Sequence, residues 1–356
     1  MGRWYGAVAI GFALALVAVL LALPSPTRPP TTGPTRPATL AEVWPAAHPF
    51  PMPGYLPDGS AYRPQRILDP TTSVGLATSP DGSRTALVVV SGAGVRTLQS
   101  ERSPLYQGIG ATTDRLFWML TATDAAGHPT VGLWTAPRAG GPVTRLSADV
   151  GLPLLLGSAY DLSAVGDRLY WTSAYPGTGR TELRSIPLSG GPVRVEPLPG
   201  SWAMSAWPWL VSAPDPDDPA TRLYNTRTRT TVTVAAPAHQ EVSCSPVWCR
   251  LVPAGPDTRP ELVRPNGSDL RVAGEPGALP VGADVAARDR FEPLLVPAGG
   301  AGGIGARLIL YDLATARTVV VAPNVSNAYG DATHLWWSVG DNETLSWYGL
   351  DLRTLG

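Results

Sequence analysis

The stretch "GDRLYWTSAYPGTGRTELRSIPLSGGPV" (166–193) decides the fold, because the chain has a close copy of it about fifty residues earlier. Residues 113–143 are "TDRLFWMLTATDAAGHPTVGLWTAPRAGGPV". Both contain Asp-Arg-Leu, an aromatic residue and Trp, then a variable insert, a second apolar run and Gly-Gly-Pro-Val. Repetition at this spacing is typical of architectures in which each repeat is one supersecondary unit.

The apolar run of this stretch recurs along the chain. Seven such runs can be aligned, at "TALVVV" from 85, "RLFWML" from 115, "RLYWTS" from 168, "WLVSA" from 209, "CRLVP" from 249, "FEPLLVP" from 291 and "LWWSV" from 335. Their starts lie mostly about 40 residues apart, which is the length of a four-stranded propeller blade. The sequence therefore predicts an all-β fold, a β-propeller of seven four-stranded blades. Six blades are the alternative count, and a β-solenoid or a pair of sandwiches is the alternative architecture.

The two ends of the repeat region predict how the ring closes. The last unit stops at "LDLRTLG" (350–356), after its third strand, and the strand-like segment "AYRPQRILD" (61–69) precedes the first unit. A propeller removes its exposed edge when a strand from one terminus completes the blade of the other. We expect residues 61–69 to form the outermost strand of the last blade.

Two motifs carry a resemblance to known families. "TSPDGSRTALVV" (78–89) resembles the Ser-Pro-Asp-Gly turn of TolB-like and WD40-like propellers. "RLYWTS" (168–173), with "LRSIPLSGGPV" after it, is similar to Tyr-Trp-Thr-Asp (YWTD-like) repeats, although Ser173 replaces the Asp. The resemblance covers roughly residues 53–356. The propeller proteins that the chain resembles are of a membrane-anchored, actinobacterial type. It implies binding to envelope partners in preference to catalysis.

The N-terminus predicts a membrane anchor. Residues 4–23 are an uninterrupted, uncharged run of twenty, long enough as a helix to cross a bilayer. We expect a transmembrane signal-anchor over 1–23, a Pro/Thr-rich linker over 24–52 and the propeller over 53–356 in an extracytoplasmic position. A cleaved signal peptide, which would leave a secreted chain, is the second interpretation.

Composition and motifs exclude several function classes. The net charge of −1 gives no long-range field of either sign, which argues against dense nucleic-acid binding. The four histidines are far apart, the glycines at 300–305 precede a strand instead of a helix, and no nucleophile motif is present, so we predict no metal, no small-molecule cofactor and no catalytic residue. Cys244 and Cys249 are the only cysteines, and in an exported chain they predict a disulfide.

The candidate binding residues lie in loops. The connections between second and third strands vary in length and content, and variable loops on a rigid scaffold are where binding groups usually lie. The predicted set is His128, Tyr175, Asp215, Asp217, Asp218, Asp257, Arg259 and Asp341. The predicted function is a protein-binding or scaffolding module, TolB-like, with an envelope protein or cell-wall component as partner. The alternative is a propeller hydrolase or lyase that acts on envelope glycan, lactone or peptide, and acidic residues converging with a His at the channel mouth would favour it.

Overall fold

A computed structural model describes residues 36–124, 126–175, 179–213, 220–235, 240–298 and 305–356. The predicted anchor at 4–23 lies outside these residues. In the part of the chain that is described, no helix is long and apolar enough to cross a membrane.

The strands form seven separate sheets, here named blades 1 to 7 in chain order. Blades 1 to 4 consist of the following strands: β3 Ala61–Asp69, β4 Thr72–Thr78, β5 Thr85–Ser91 and β6 Gly94–Glu101; β7 Leu105–Ala111, β8 Arg115–Thr123, β9 Pro129–Pro137 and β10 Thr144–Ser147; β11 Leu152–Pro153, β12 Ser163–Val165, β13 Arg168–Tyr175, β14 Arg180–Pro187 and β15 Arg194–Pro199; β16 Trp202–Met204, β17 Trp209–Ser212, β18 Arg222–Asn225 and β19 Thr230–Thr233.

Blades 5 to 7 contain the remaining strands, and blades 6 and 7 each include one strand from the N-terminal region. Their strands are β20 Gln240–Cys244, β21 Cys249–Pro253, β22 Glu261–Val263 and β23 Arg271–Val272; β24 Leu279–Pro280, β25 Phe291–Pro297, β26 Ala306–Asp312 and β27 Arg317–Val325 with β1 Ala38–Thr39; β28 Asn327–Gly330, β29 His334–Val339 and β30 Ser346–Asp351 with β2 Phe50–Pro53. Two short helices, α1 Leu40–Val43 and a 3₁₀ turn at Leu352–Thr354, complete the elements. The predicted seven-bladed β-propeller is confirmed.

The strand that closes the ring differs from the predicted one. Residues 61–69 are β3, which pairs with β4 as the first strand of blade 1, so their assignment to the last blade is wrong. The outermost strand of blade 7 is β2, antiparallel to β30 with Met52 opposite Trp347. Pro51 and Pro53 make this strand hard to recognise in the sequence. Proline is tolerated on an edge strand, where the missing N–H would point to solvent.

The wrong assignment of residues 61–69 arose from the alignment of the first repeat. "TALVVV" is the third strand of blade 1, whereas the corresponding runs in blades 2 to 7 are second strands. The true second strand, β4, contains Gly75, and a Cβ there would collide with the carbonyl of Arg63 and the ring of Tyr62. The close approach of β3 requires glycine at this position, and its lack of a side chain makes the strand hard to recognise.

The residues before β2 also belong to the folded unit, which begins at Ala38, inside the stretch expected to be linker. β1 adds a fifth strand to blade 6, parallel to β27. Trp44, at the end of α1, packs edge-on against Phe291 at 5.7 Å between ring centroids. Its indole N–H donates to the carbonyl of Gly356 at 3.2 Å. The N-terminal segment is thus fixed to the outer strands of blades 6 and 7.

The core lies between neighbouring blades. Trp118 and Trp171 are fully buried on the second strands of blades 2 and 3. Trp336 and Trp347 of blade 7 donate their indole N–H groups to carbonyls of β3, which ties the last blade to the first. Each Trp that the structure describes is buried or half-buried, so these rings fill the gaps between blades, as large aromatic side chains commonly do.

The predicted disulfide between Cys244 and Cys249 is confirmed. The two residues lie directly opposite each other in the hairpin of β20 and β21, with Cα atoms 4.1 Å apart. The hydroxyl of Ser245 accepts from the backbone N–H of Trp248 inside the same turn. The bond therefore closes a local hairpin of blade 5.

Candidate functional site

The first strands of the blades surround a central channel that contains a cavity of about 290 Å³. The cavity is lined by residues of blades 1, 2 and 7, by Gly282 of blade 6 and by a segment of blade 3: Pro64, Gln65, Arg66, Tyr106, Gln107, Gly108, Ile109, Gly157, Ser158, Ala159, Asp161, Tyr329, Gly330, Asp331 and Trp336. It adjoins the end of the ring where first strands turn into second strands.

A segment of blade 3 crosses the channel. β11 and β12 both pair with β13, so the first strand of this blade is interrupted and residues 155–162, here named the channel segment, leave the sheet. Ser158 donates its hydroxyl to Asp284 Oδ1 at 2.6 Å, and the N–H of Ala159 donates to Asp284 Oδ2 at 3.1 Å. Asp284 belongs to blade 6, on the opposite side of the ring. A second cavity of about 200 Å³ lies beyond the segment, toward blades 4 and 5.

Asp161 holds the channel segment in its conformation. Its two carboxyl oxygens accept the backbone N–H groups of Leu156 at 3.1 Å and Gly157 at 2.8 Å. The side chain is 1% exposed, and burial raises the pKa of the carboxyl to about 6. Removing a carboxylate from water favours its neutral form, which explains the direction of the shift.

Asp284 is positioned by a buried ion pair. Arg250 donates to Glu292 at 2.7 Å, with side chains only 5% and 0% exposed. The same guanidinium donates to the carbonyls of Gly282 and Asp284, and Glu292 accepts the N–H of Ala286 at 2.7 Å. These contacts fix the connection between β24 and β25. Burial raises the pKa of Asp284.

Asp331 lines the cavity and carries a buried acceptor without a partner in the part of the chain that is described. It lies in the turn between β28 and β29, where Oδ1 accepts from the N–H and hydroxyl of Thr333 and the N–H of His334 at 2.8–3.0 Å. The residue is 6% exposed, and its Oδ2 has no hydrogen-bond partner among the described residues. Oδ2 can therefore receive a hydrogen bond from a bound molecule.

Two basic side chains lie near Asp331. Arg66 is half-buried on β3 and lines the cavity, and among the described residues its guanidinium makes one hydrogen bond, of 3.4 Å, to the carbonyl of Ile109. His334 is buried, with Nδ1 3.0 Å from the hydroxyl of Thr333, and burial lowers its pKa. Within the described residues, no group of three or more His, Cys, Asp or Glu side chains is placed to hold a metal ion.

The predicted binding residues lie elsewhere. His128 is exposed beside Asp124, with 3.7 Å between Nδ1 and Oδ2, and Tyr175 ends β13 with half of its surface exposed. Asp257 and Arg259 are exposed between β21 and β22, and Asp341 is exposed in the turn before β30. Asp215, Asp217 and Asp218 lie outside the described residues. None of the described five lines the channel cavity.

Asp341 also has a local structural role. Its Oδ1 accepts the N–H groups of Glu343 and Thr344 at 2.9 and 3.0 Å, and these hydrogen bonds lower its pKa. An Asp that bonds backbone N–H groups two and three residues ahead is a common turn feature. The binding role assigned to this loop set stays a prediction.

Sequence reasoning missed Arg66, Asp161, Asp284 and Asp331. Asp331 lies in "GDAT" (330–333) and Asp284 shortly before "ARDR" (287–290), sequences typical of turns, and carboxylates in or near turns are common on any surface. The available signal was length, because the connection from Val281 to Arg290 is longer than the other turns of its kind. Only the ring closure brings these positions together.

Comparison with known proteins gives fold-level neighbours. No family profile and no curated protein matches the chain. Among solved structures, the β-propeller domain of the Trilobed protease from Pyrococcus furiosus matches with TM-score 0.43 at 9% identity, over 68% of this chain and 81% of that one. An oligogalacturonate lyase in complex with manganese matches with TM-score 0.48 at 14% identity, over 87% and 84%.

A puromycin-hydrolyzing peptidase from Mycobacterium tuberculosis matches with TM-score 0.47 at 18% identity, over 85% of this chain and 51% of that one. These TM-scores are all below 0.5, so the strand pairing of this chain itself is what establishes the fold. The TolB-like and WD40-like resemblance stays a prediction. By its own topology the chain is a seven-bladed β-propeller.

Proposed function

We propose that this propeller is a hydrolase or lyase whose reaction takes place in the channel cavity, on an envelope glycan, lactone or peptide. The observation that carries the proposal is the convergence of Asp161, Asp284 and Asp331 around one channel, next to a buried His334. Burial raises the pKa values of Asp161 and Asp284, and carboxyl groups perturbed in this way beside a cavity are characteristic of catalytic sites. A scaffolding module has no need of such a cluster.

The roles follow from the contacts. Asp331 has the open oxygen, so it is the candidate base that takes a proton from water or from substrate. Arg66 lines the same cavity and can stabilise negative charge that develops on an oxygen. A base and a cation are needed by hydrolysis and by elimination alike. Asp161 and Asp284 are positioning residues, because both bond the channel segment.

The scaffolding function remains the second candidate, because of an apolar surface at the opposite end of the ring. Leu105, Leu152 and Leu279 begin the first strands of blades 2, 3 and 6, and each is more than half exposed. First strands begin at one end of the ring, so these three side chains share a face, and a protein-docking surface would lie there. This is the face that holds the variable loops.

We propose an extracytoplasmic location for the propeller, with residues 4–23 as its membrane anchor and an envelope protein or cell-wall component as its partner. The disulfide supports export, since such bonds persist in oxidising compartments. Fractionation of cells followed by N-terminal sequencing tests this. A soluble chain that begins near residue 25 would contradict the anchor.

Catalysis is tested with the full-length chain on three substrate panels, peptidoglycan fragments, lactones and short peptides. We expect turnover on one panel, and loss of it in Asp331→Asn. The matched control is Asp81→Asn, an exposed carboxylate in the turn between β4 and β5 at the other end of the ring. Turnover that persists in Asp331→Asn would refute the assignment of the base. Absence of turnover together with partner capture that depends on Leu152 and Leu279 would favour the scaffold.

A further inference from the structure

The channel cavity contains an acceptor that needs a partner. Asp331 is only 6% exposed. Its Oδ1 accepts three hydrogen bonds, whereas its Oδ2 accepts none within the described chain. Leaving a buried polar atom unpaired costs free energy, and the cost is larger for a charged group. Native structures therefore pair such atoms with solvent or with a ligand.

The charges around the cavity select the kind of donor. The oxygens of Asp161 and Asp284 are already engaged by the channel segment, so Asp331 is the carboxylate with a free acceptor. The two bonded carboxylates still add negative potential. An ammonium group has three N–H donors and a positive charge, and it suits this position better than a neutral hydroxyl, because charge-assisted hydrogen bonds are about twice as strong.

Arg66 provides a cationic group that complements the acceptor of Asp331. Its guanidinium has five N–H donors, of which one makes a bond of 3.4 Å to Ile109 within the described chain. The residue lines the same cavity as Asp331, and the charges of both act on the buried imidazole of His334. A guanidinium with unused parallel donors is the group that best binds a carboxylate in bidentate fashion.

We propose that the cavity binds a small zwitterion, with its ammonium group on Asp331 and its carboxylate on Arg66. This is the chemistry of a free α-amino acid or of a dipeptide. The volume of about 290 Å³ is at the lower end of the range of small-molecule sites and suits a ligand of this size. The inference rests on the proposed function in one respect, since it selects the peptide class from its three substrate classes.

The test measures binding, so it does not depend on turnover. The full-length chain is titrated by calorimetry with the twenty amino acids in both enantiomers and with a set of dipeptides. The best ligand is then compared with its N-acetyl derivative, which lacks the ammonium, and its amide, which lacks the carboxylate. We expect each derivative to bind at least about tenfold more weakly. Comparing amino acids with dipeptides identifies which source of the zwitterion fits.

Two variants locate the site. Asp331→Asn and Arg66→Gln are each expected to weaken the best ligand at least about tenfold, and Asp81→Asn, in an exposed turn outside the cavity, to leave it unchanged. Because Asp331 also holds a turn, its variant is checked by its melting temperature. Arg66→Gln, which removes a single long hydrogen bond, keeps the test valid if the first variant fails to fold.

The outcomes separate the two proposals. Zwitterion binding without turnover supports the site and refutes catalysis. Turnover of a neutral glycan or lactone, with no zwitterion bound, supports catalysis and overturns the inference. Equal binding of the N-acetyl derivative overturns it too, as does the absence of binding by every amino acid and dipeptide tested.

Discussion

Replacing Asp161 by Asn should change how the stability of the propeller depends on pH. The carboxyl is 1% exposed, and burial raises its pKa to about 6 from an ordinary value near 3.8. A raised folded-state pKa means that the folded chain holds the proton more tightly than the unfolded chain. The stabilisation of the folded chain by the protonated carboxyl is complete below about pH 4 and is lost as the pH rises through about 6.

The magnitude follows from the shift. About two pKa units correspond to roughly 3 kcal/mol between low and high pH. Between pH 5 and pH 8, the two titration curves give a loss of about 1.4 kcal/mol for the wild type. Asn cannot titrate, so its contribution is constant. It also accepts only one of the N–H groups of Leu156 and Gly157, which lowers stability by about 1 kcal/mol at every pH.

Urea unfolding of both proteins at pH 5, 6, 7 and 8 gives the free energy of unfolding of each. We expect the advantage of the wild type over Asp161→Asn to shrink by about 1–2 kcal/mol from pH 5 to pH 8. Burial also raises the pKa of Asp284 and lowers that of His334, but both groups are present in both proteins, so the difference reports Asp161 together with its coupling to Asp284. A difference that is independent of pH, or that grows with pH, would refute the reasoning.

Three further predictions concern the elements that hold the ring together. Met52→Ala should lower the free energy of unfolding by about 2–4 kcal/mol in urea titrations, because Met52 is buried where the closing strand meets blade 7, and an unchanged value would contradict closure by this strand. Arg250→Met should cost about 3–5 kcal/mol because it leaves Glu292 buried and unpaired, and the double variant Arg250→Met/Glu292→Leu should recover most of it by the same measurement. Replacing Cys244 and Cys249 by Ser should lower the melting temperature by an amount equivalent to about 2 kcal/mol and leave the circular dichroism spectrum unchanged, and a loss of folding would show a wider role for the bond.

The architecture was predictable because its signal is local. "LYW" and "LFW" are apolar runs on second strands, and their burial between blades requires the same residue types in each repeat. The closing strand Phe50–Pro53 was not, because its only buried side chain is Met52 and its prolines resemble those of a linker. Edge strands need only one apolar face, so they leave little pattern in the sequence.

The candidate site was harder to predict from the sequence, for a different reason. Arg66 belongs to blade 1, Asp161 to blade 3 and Asp331 to blade 7, so their proximity depends on the closed ring. Each is a common residue in a common turn or strand. The interrupted first strand of blade 3 was visible as the unusual length between β10 and β13, yet length alone does not show that a segment enters the channel.

The pairing of β2 with β30 places a condition on the order of synthesis and folding. Phe50 leaves the ribosome about 300 residues before its partner Gly349. At roughly 5–20 residues per second, β2 waits about 15–60 s without the strand it completes. During that time the growing ring presents open strand edges at both ends, the kind of edge that recruits other chains. A nascent propeller of this topology thus depends on its last six-residue strand, Ser346–Asp351, to end its exposure to aggregation.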